Sequence, residues 1–179
     1  MSEWSNTHYA HVHTAAQQLP PSRIHYAPIT SVTVLNERYV DGKRWYVEHD
    51  GVGETLYPSI STVLSATDAE GKKSLREWQK RVGYDTAQQI TQTAAARGTR
   101  WHLFCEQYVT GQPVAWSIFQ DVGDVSYGAH VATVLNDKVA SVLASEVRVC
   151  SPTYGVAGRL DMAVKLHDGR RAILDFKTG

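Results

Sequence analysis

The stretch Tyr154–Gly179, YGVAGRLDMAVKLHDGRRAILDFKTG, decides how the C-terminal half of this chain folds. Two strand-like runs, VAGRLDMAVKL and RRAILDF, flank the turn sequence around Asp168-Gly169. The length of that turn sets which residues face each other. A two-residue Asp168-Gly169 turn pairs Leu160 with Lys177 and Met162 with Asp175, mixing core and charge on one face. A three-residue loop, His167-Asp168-Gly169, places glycine at the left-handed position such loops favour. It pairs Leu160 with Phe176, Met162 with Leu174 and Val164 with Ala172, leaving one face wholly apolar. Because the buried pattern selects register, the second arrangement is predicted. On the opposite face it sets Arg159 beside Lys177 and Asp161 directly across from Asp175. Opposed side chains have Cβ atoms about 4.5–5.5 Å apart, and like charges there repel. A divalent cation converts that repulsion into a site, and an oxygen-rich carboxylate pair suits Mg²⁺ or Mn²⁺. The alternative is a surface network in which Arg159, Arg171 or Lys177 neutralises each aspartate.

Composition narrows the classes. The chain has 179 residues, 42% hydrophobic and 20% charged, which suits a soluble globular domain with an appended arm. With formal net charge +0, contact with a polyanion would need a local basic patch. Two cysteines, Cys105 and Cys150, are too few for a disulfide framework or a four-thiolate iron–sulfur cluster and fit a reducing, cytoplasmic compartment. No apolar run approaches the roughly 20 residues of a membrane span, so no membrane partner is expected. Residues 1–22 lack a signal-peptide apolar stretch, and their histidines (His8, His11, His13) match no strong metal spacing; a flexible arm is expected.

Along the rest of the chain, ITSVTVL and KRWYVEH read as a hairpin turning at Asp41-Gly42 within a 23–55 extension, followed by a loop, GVGETLYPSIS. A short helix starts at Pro58-Ser59 and runs through Leu64. GKKSLREWQKRVG is a helix with Leu75, Trp78 and Val82 as its buried stripe and a basic, solvated outer face. A longer helix runs from Asp85 to about Tyr108. Inside it Gly98, which costs about 1 kcal/mol against alanine, marks a break or a close backbone approach. Trp101, Phe104, Cys105 and Tyr108 read as core. GAHVATVLNDKVASVLA is a third helix, and EVRVC, VAGRLDMAVKL and RRAILDF are strands. Hairpin and helices followed by a three-stranded antiparallel meander give an α+β or α/β class.

Asp161 on one strand and Asp175-Phe176-Lys177 on the next resemble the PD-(D/E)xK nuclease superfamily. ARGTRWHLFCEQYVTG is similar to the Gly-then-His helix of RecB-type members. The ordered blocks YPSISTVLSAT, LREWQKRVG, RGTRWHLFCE, GVAGRLDMAV and ILDFKTG most resemble the mitochondrial genome maintenance exonuclease family and its phage relatives, over residues 56–179.

The resemblance implies a restriction-endonuclease-like core and a Mg²⁺- or Mn²⁺-dependent DNA exonuclease acting on single-stranded ends in a bacterial or phage-infected cell. It implies Asp161, Asp175, the backbone carbonyl of Phe176 and His102 as metal ligands. Lys177 would orient or activate water and offset phosphate charge. Glu106, one turn after His102, and Glu146, on the first strand, are supporting residues. Arg97 and Arg100 are candidate DNA-backbone contacts, and Ser59 and Ser61 candidate phosphate contacts at a helix N-terminus. Family members continue past the lysine with a helix and a further strand. Residues matching these are missing from this sequence, so a truncated fold, an exposed edge open to association, and a catalytically incomplete DNA-binding or assembly module are also expectations.

Overall fold

The computed structural model describes residues 12, 14, 19–29 and 33–177, and most of the N-terminal arm expected from sequence lies outside them. Among the described residues the chain forms a mixed α+β structure. Its strands are β1 (His25–Tyr26), β2 (Leu35–Val40), β3 (Lys43–His49), β4 (Glu54–Pro58), β5 (Val139–Ser151), β6 (Val156–Leu166) and β7 (Arg171–Leu174). Its helices are α1 (Ile60–Thr67), α2 (Ala69–Val82), α3 (Tyr84–Val109) and α4 (Val122–Lys138). One sheet has the order β1-β5-β6-β7 and the other β2-β3-β4. None of the described helices is long and apolar enough to cross a membrane. Two compact units divide the chain: residues 1–28, 95–145 and 161–179 form one, and 29–94 with 146–160 the other.

In the first unit, Phe104, Val109, Ala132, Val139, Val142, Met162 and Val164 are buried in one cluster with Trp101, Cys105 and Tyr108. The aromatic residues of α3 pack edge to face, with Trp101 and Phe104 ring centroids 5.5 Å apart. Helix α4 begins where Asp121 accepts a hydrogen bond from the Asp124 amide at 2.8 Å, and Asp124 accepts one from the Gln120 amide at 2.9 Å. It ends at Lys138, a cation suited to the negative end of the helix dipole. The expected helix over Gly128–Ala144 is therefore displaced: it starts earlier, and VASVLA belongs to β5. Val139 and Val142, both buried, are spaced as on a helix, so periodicity alone misleads here. The backbone is instead taken up by sheet neighbours, with Ser141 and Val142 pairing in parallel to His25 and Tyr26. That parallel strand extends the expected meander by one member.

The β6–β7 hairpin adopts the predicted three-residue register. Met162 faces Leu174 and Val164 faces Ala172, Met162 and Val164 are fully buried, and Gly169 has φ 88. The ladder nevertheless stops at Met162–Leu174, shorter than RRAILDF. Leu160 does not pair with Phe176 in it, and Asp161 does not sit across from Asp175 as a ladder pair.

In the second unit the β2–β3 turn is Asp41-Gly42, with φ 50 and 70, the signs a two-residue type I′ hairpin requires. That turn forces Val40 against Lys43. The strand opposite KRWYV is consequently NERYV, and not the β-branched ITSVTVL favoured by propensity; Ile29, Thr33 and Val34 lie outside the strand, and Leu35 belongs to it, opposite Glu48. GVGETLYPSIS contains β4, which was expected to be loop. Asp50 organises the turn into it by accepting the Val52 and Gly53 amides, each at 2.9 Å. Those two hydrogen bonds hold the Asp50 carboxyl below its ordinary range. Leu35, Tyr46, Tyr57 and Ala157 form the buried cluster of this unit. Helix α2 starts one turn earlier than its glycine boundary suggested, because the Asp68 side chain caps the Gly71 amide at 2.7 Å. It buries no residue fully: Leu75 is exposed, and Trp78 and Val82 are half-buried, so the expected buried stripe is not formed. Helix α3 runs unbroken through Gly98.

Met162→Ala is expected to cost about 2–5 kcal/mol in urea denaturation, because the side chain is fully buried on the hairpin's apolar face. Gly169→Val should cost at least about 1 kcal/mol through its positive φ. Wild-type stability in both variants would mean the register is set elsewhere.

Candidate metal centre

The site is built on the last turn of the β6–β7 pair. Past Leu174 the chain leaves the ladder, and the Phe176 amide donates to Asp161 Oδ2 at 2.7 Å. A side-chain carboxylate here replaces the next rung of the sheet. Its other oxygen, Oδ1, lies 3.5 Å from His102 Nδ1. The Asp161 side chain is 13% exposed, so its charge depends on these partners more than on water.

His102 comes from α3. Burial of Trp101, Phe104, Cys105 and Tyr108 fixes that helix against the first unit's core and leaves His102 half-buried beside them. Its ring meets that of Phe176 edge-on, with centroids 6.0 Å apart. Glu106 follows one turn later and is half-buried.

Glu146 lies on β5, the strand next to β6. It is a non-glycine residue in the left-handed region, with φ 55, a conformation that costs about 1–3 kcal/mol and concentrates at functional positions. Its carboxylate pairs with the Arg159 guanidinium through two nitrogens. Burial works against the charge on Arg159, yet the hydrogen bond and charge of Glu146 more than offset it and raise the Arg159 pKa. Arg159 was expected beside Lys177; it serves Glu146 instead.

Within the first unit, His102 and Asp161 thus bring a ring nitrogen and a carboxylate oxygen to 3.5 Å of each other. An imidazole and a carboxylate are both donors that divalent cations accept. Asp175 has a different partner. It is 59% exposed, and its Oδ2 lies 2.6 Å from Lys177 Nζ. The hydrogen bond from Lys177 to Asp175 raises the lysine pKa against a small loss from desolvation, and the charges of Asp175 and Asp161 add to the rise. Lys177 is thus held as an ammonium.

The remaining expected site residues are scattered. Arg97 is exposed and Arg100 half-buried on α3, and Arg100 Nε is buried without a hydrogen-bond partner. Ser59 is fully buried, with its hydroxyl 2.7 Å from that of Ser61, so Ser59 does not meet a ligand phosphate. Ser61 is exposed. Phe176 enters the site through its amide nitrogen. The left-handed backbone of Glu146 has no signature in EVRVC.

No family model, curated protein or solved structure matches this chain.

Asp161→Ala would leave both the Phe176 amide and His102 without their carboxylate. It is expected to weaken Mn²⁺ binding by at least about tenfold, read as free Mn²⁺ by electron paramagnetic resonance. Unchanged affinity would exclude this group as the cation site.

Proposed function

We propose that the chain is a divalent-metal-dependent deoxyribonuclease with a restriction-endonuclease-like core, hydrolysing phosphodiester bonds as an exonuclease on single-stranded ends. The observation that carries this reading is the Asp161 carboxylate, held by the Phe176 amide and facing His102. Asp161 and His102 lie in the motifs that resemble RecB-type PD-(D/E)xK nucleases.

The reaction adds water across one P–O bond and yields a phosphomonoester and an alcohol. A bound Mg²⁺ or Mn²⁺ would lower the pKa of water and offset charge on the phosphate. The chain supplies the rest. Asp161 and His102 would hold the cation, and the Phe176 amide orients the Asp161 carboxylate. Lys177, with its raised pKa, offers a proton-bearing cation to a phosphate oxygen. It acts as an electrostatic partner, and a role as the base that deprotonates water does not fit its held charge. Asp175 keeps that ammonium in place.

A second reading is a DNA-binding or assembly module. The exposed Asp175–Lys177 pair favours it, since a lysine engaged by its neighbour is not presented to a phosphate.

End-labelled single-stranded and duplex DNA, incubated with Mg²⁺, Mn²⁺ or EDTA, separates the two. Metal-dependent shortening is expected, abolished by Asp161→Ala and reduced about 10²–10³-fold by Lys177→Ala. Lys177 is 78% exposed, so that variant should fold normally. DNA retention without cleavage in any metal would favour the module. The ammonium is lost only as pH rises through a pKa raised above the ordinary 10.5. Cleavage should therefore not fall between about pH 7 and pH 9 through loss of this group. A lysine-dependent decline there, absent in Lys177→Arg, would contradict the assigned role.

A further inference from the structure

A second feature lies wholly within the other unit. A cavity of about 700 Å³ opens where the β2–β3 hairpin meets α1 and the start of α2. Its lining includes Lys43, Arg44 and Lys72 together with Tyr39, Ser61 and Thr62, and no carboxylate. Three cations on one concave surface without a lining acid are unfavourable unless an anion joins them.

The floor is held in place by Arg44. Its backbone oxygen accepts from the Ser59 amide at 3.0 Å and from Thr62 Oγ1 at 3.1 Å. Its Nη2 reaches Ser61 Oγ at 3.3 Å and Ser59 Oγ at 3.5 Å. The guanidinium carbon sits 5.6 Å from the Tyr46 ring centroid, a cation–π contact that fixes its direction. Arg44 Nε is buried and has no hydrogen-bond partner. Ser59 stands at the N-cap of α1, yet its side chain makes no cap hydrogen bond. Its hydroxyl is committed to Ser61, so the first-turn amides of α1 have no side-chain acceptor from the cap.

We propose that this cavity binds the phosphate groups of a nucleotide, with Lys43, Lys72 and Arg44 as the charge partners and Tyr39 as an aromatic wall for the base. The volume is that of a small-ligand pocket. Three cations match a group bearing two or more negative charges better than a single phosphodiester. The site needs no metal and does not depend on the nuclease reading. Two sources present the same chemistry: a free nucleotide, or the phosphorylated end of a strand.

The test is calorimetric titration of the 179-residue chain in EDTA, with three probes: ADP, an oligonucleotide with a 5′-phosphate, and the same oligonucleotide with a 5′-hydroxyl. Saturable binding of ADP or of the 5′-phosphate strand is expected. It should weaken about tenfold in Lys43→Ala and again in Lys72→Ala, with Mn²⁺ affinity unchanged. Both lysines are exposed, so circular dichroism should match wild type. Preference for ADP identifies the free nucleotide, and preference for the 5′-phosphate over the 5′-hydroxyl strand identifies the strand end. No binding of either phosphorylated probe overturns the proposal. Equal binding of the two strands without ADP binding also overturns it, as does binding that the two lysine substitutions leave intact.

Discussion

The candidate centre depends on the register of β6 against β7. A three-residue loop closed by Gly169 sets Met162 and Val164 into the first unit's core. Strand side chains alternate, so Asp161 and Ala163 then face away from Met162 and Val164. A slip of one residue would bury Asp161 and expose Met162, exchanging an unpaired buried charge for a lost apolar contact. The apolar core therefore determines where a carboxylate stands. The end of the ladder matters equally. Where the next rung would form, the Asp161 side chain takes the Phe176 amide, tying the position of the aspartate to the backbone that leads to Lys177.

Within each unit, charges are arranged in local pairs. Arg159 holds Glu146, Lys177 holds Asp175, and His102 approaches Asp161. The pairs differ in what their geometry is worth. Asp175 and Lys177 are largely exposed, so their attraction is screened and easily exchanged for another partner. Glu146 is 13% exposed, and a desolvated carboxylate keeps a partner because the uncompensated charge is costly. Lys177 is thus the more exchangeable charge, while the Glu146 and Asp161 carboxylates are more deeply set in their own units.

Turn chemistry and capping decided several elements against propensity. Asp41-Gly42 imposed a two-residue hairpin, and the β-branched ITSVTVL was displaced by the more polar NERYV. Asp121 and Asp68 moved helix starts by offering carboxylates to first-turn amides. Such interactions involve few atoms, yet each satisfies a backbone donor that would otherwise lack a partner. Their cost of loss rivals the small differences among residue propensities.

The α+β class, the long α3 and the β6–β7 pairing were legible in the sequence alone. Each rests on short-range constraints: alternation, loop length and a glycine where φ must be positive. His102 was named through a resemblance, and nothing in its local sequence shows that its ring approaches Asp161. Only tertiary structure decided that VASVLA is a strand, since its helical spacing is overridden by hydrogen-bonding neighbours on the sheet. It alone turned Glu146 into the left-handed region, stopped β7 before Asp175, and sealed Ser59 under Arg44. The physical reason is common to all four. Each outcome depends on a partner far away in the chain, and a sequence read locally carries the preferences of a residue but not the identity of what it will be pressed against.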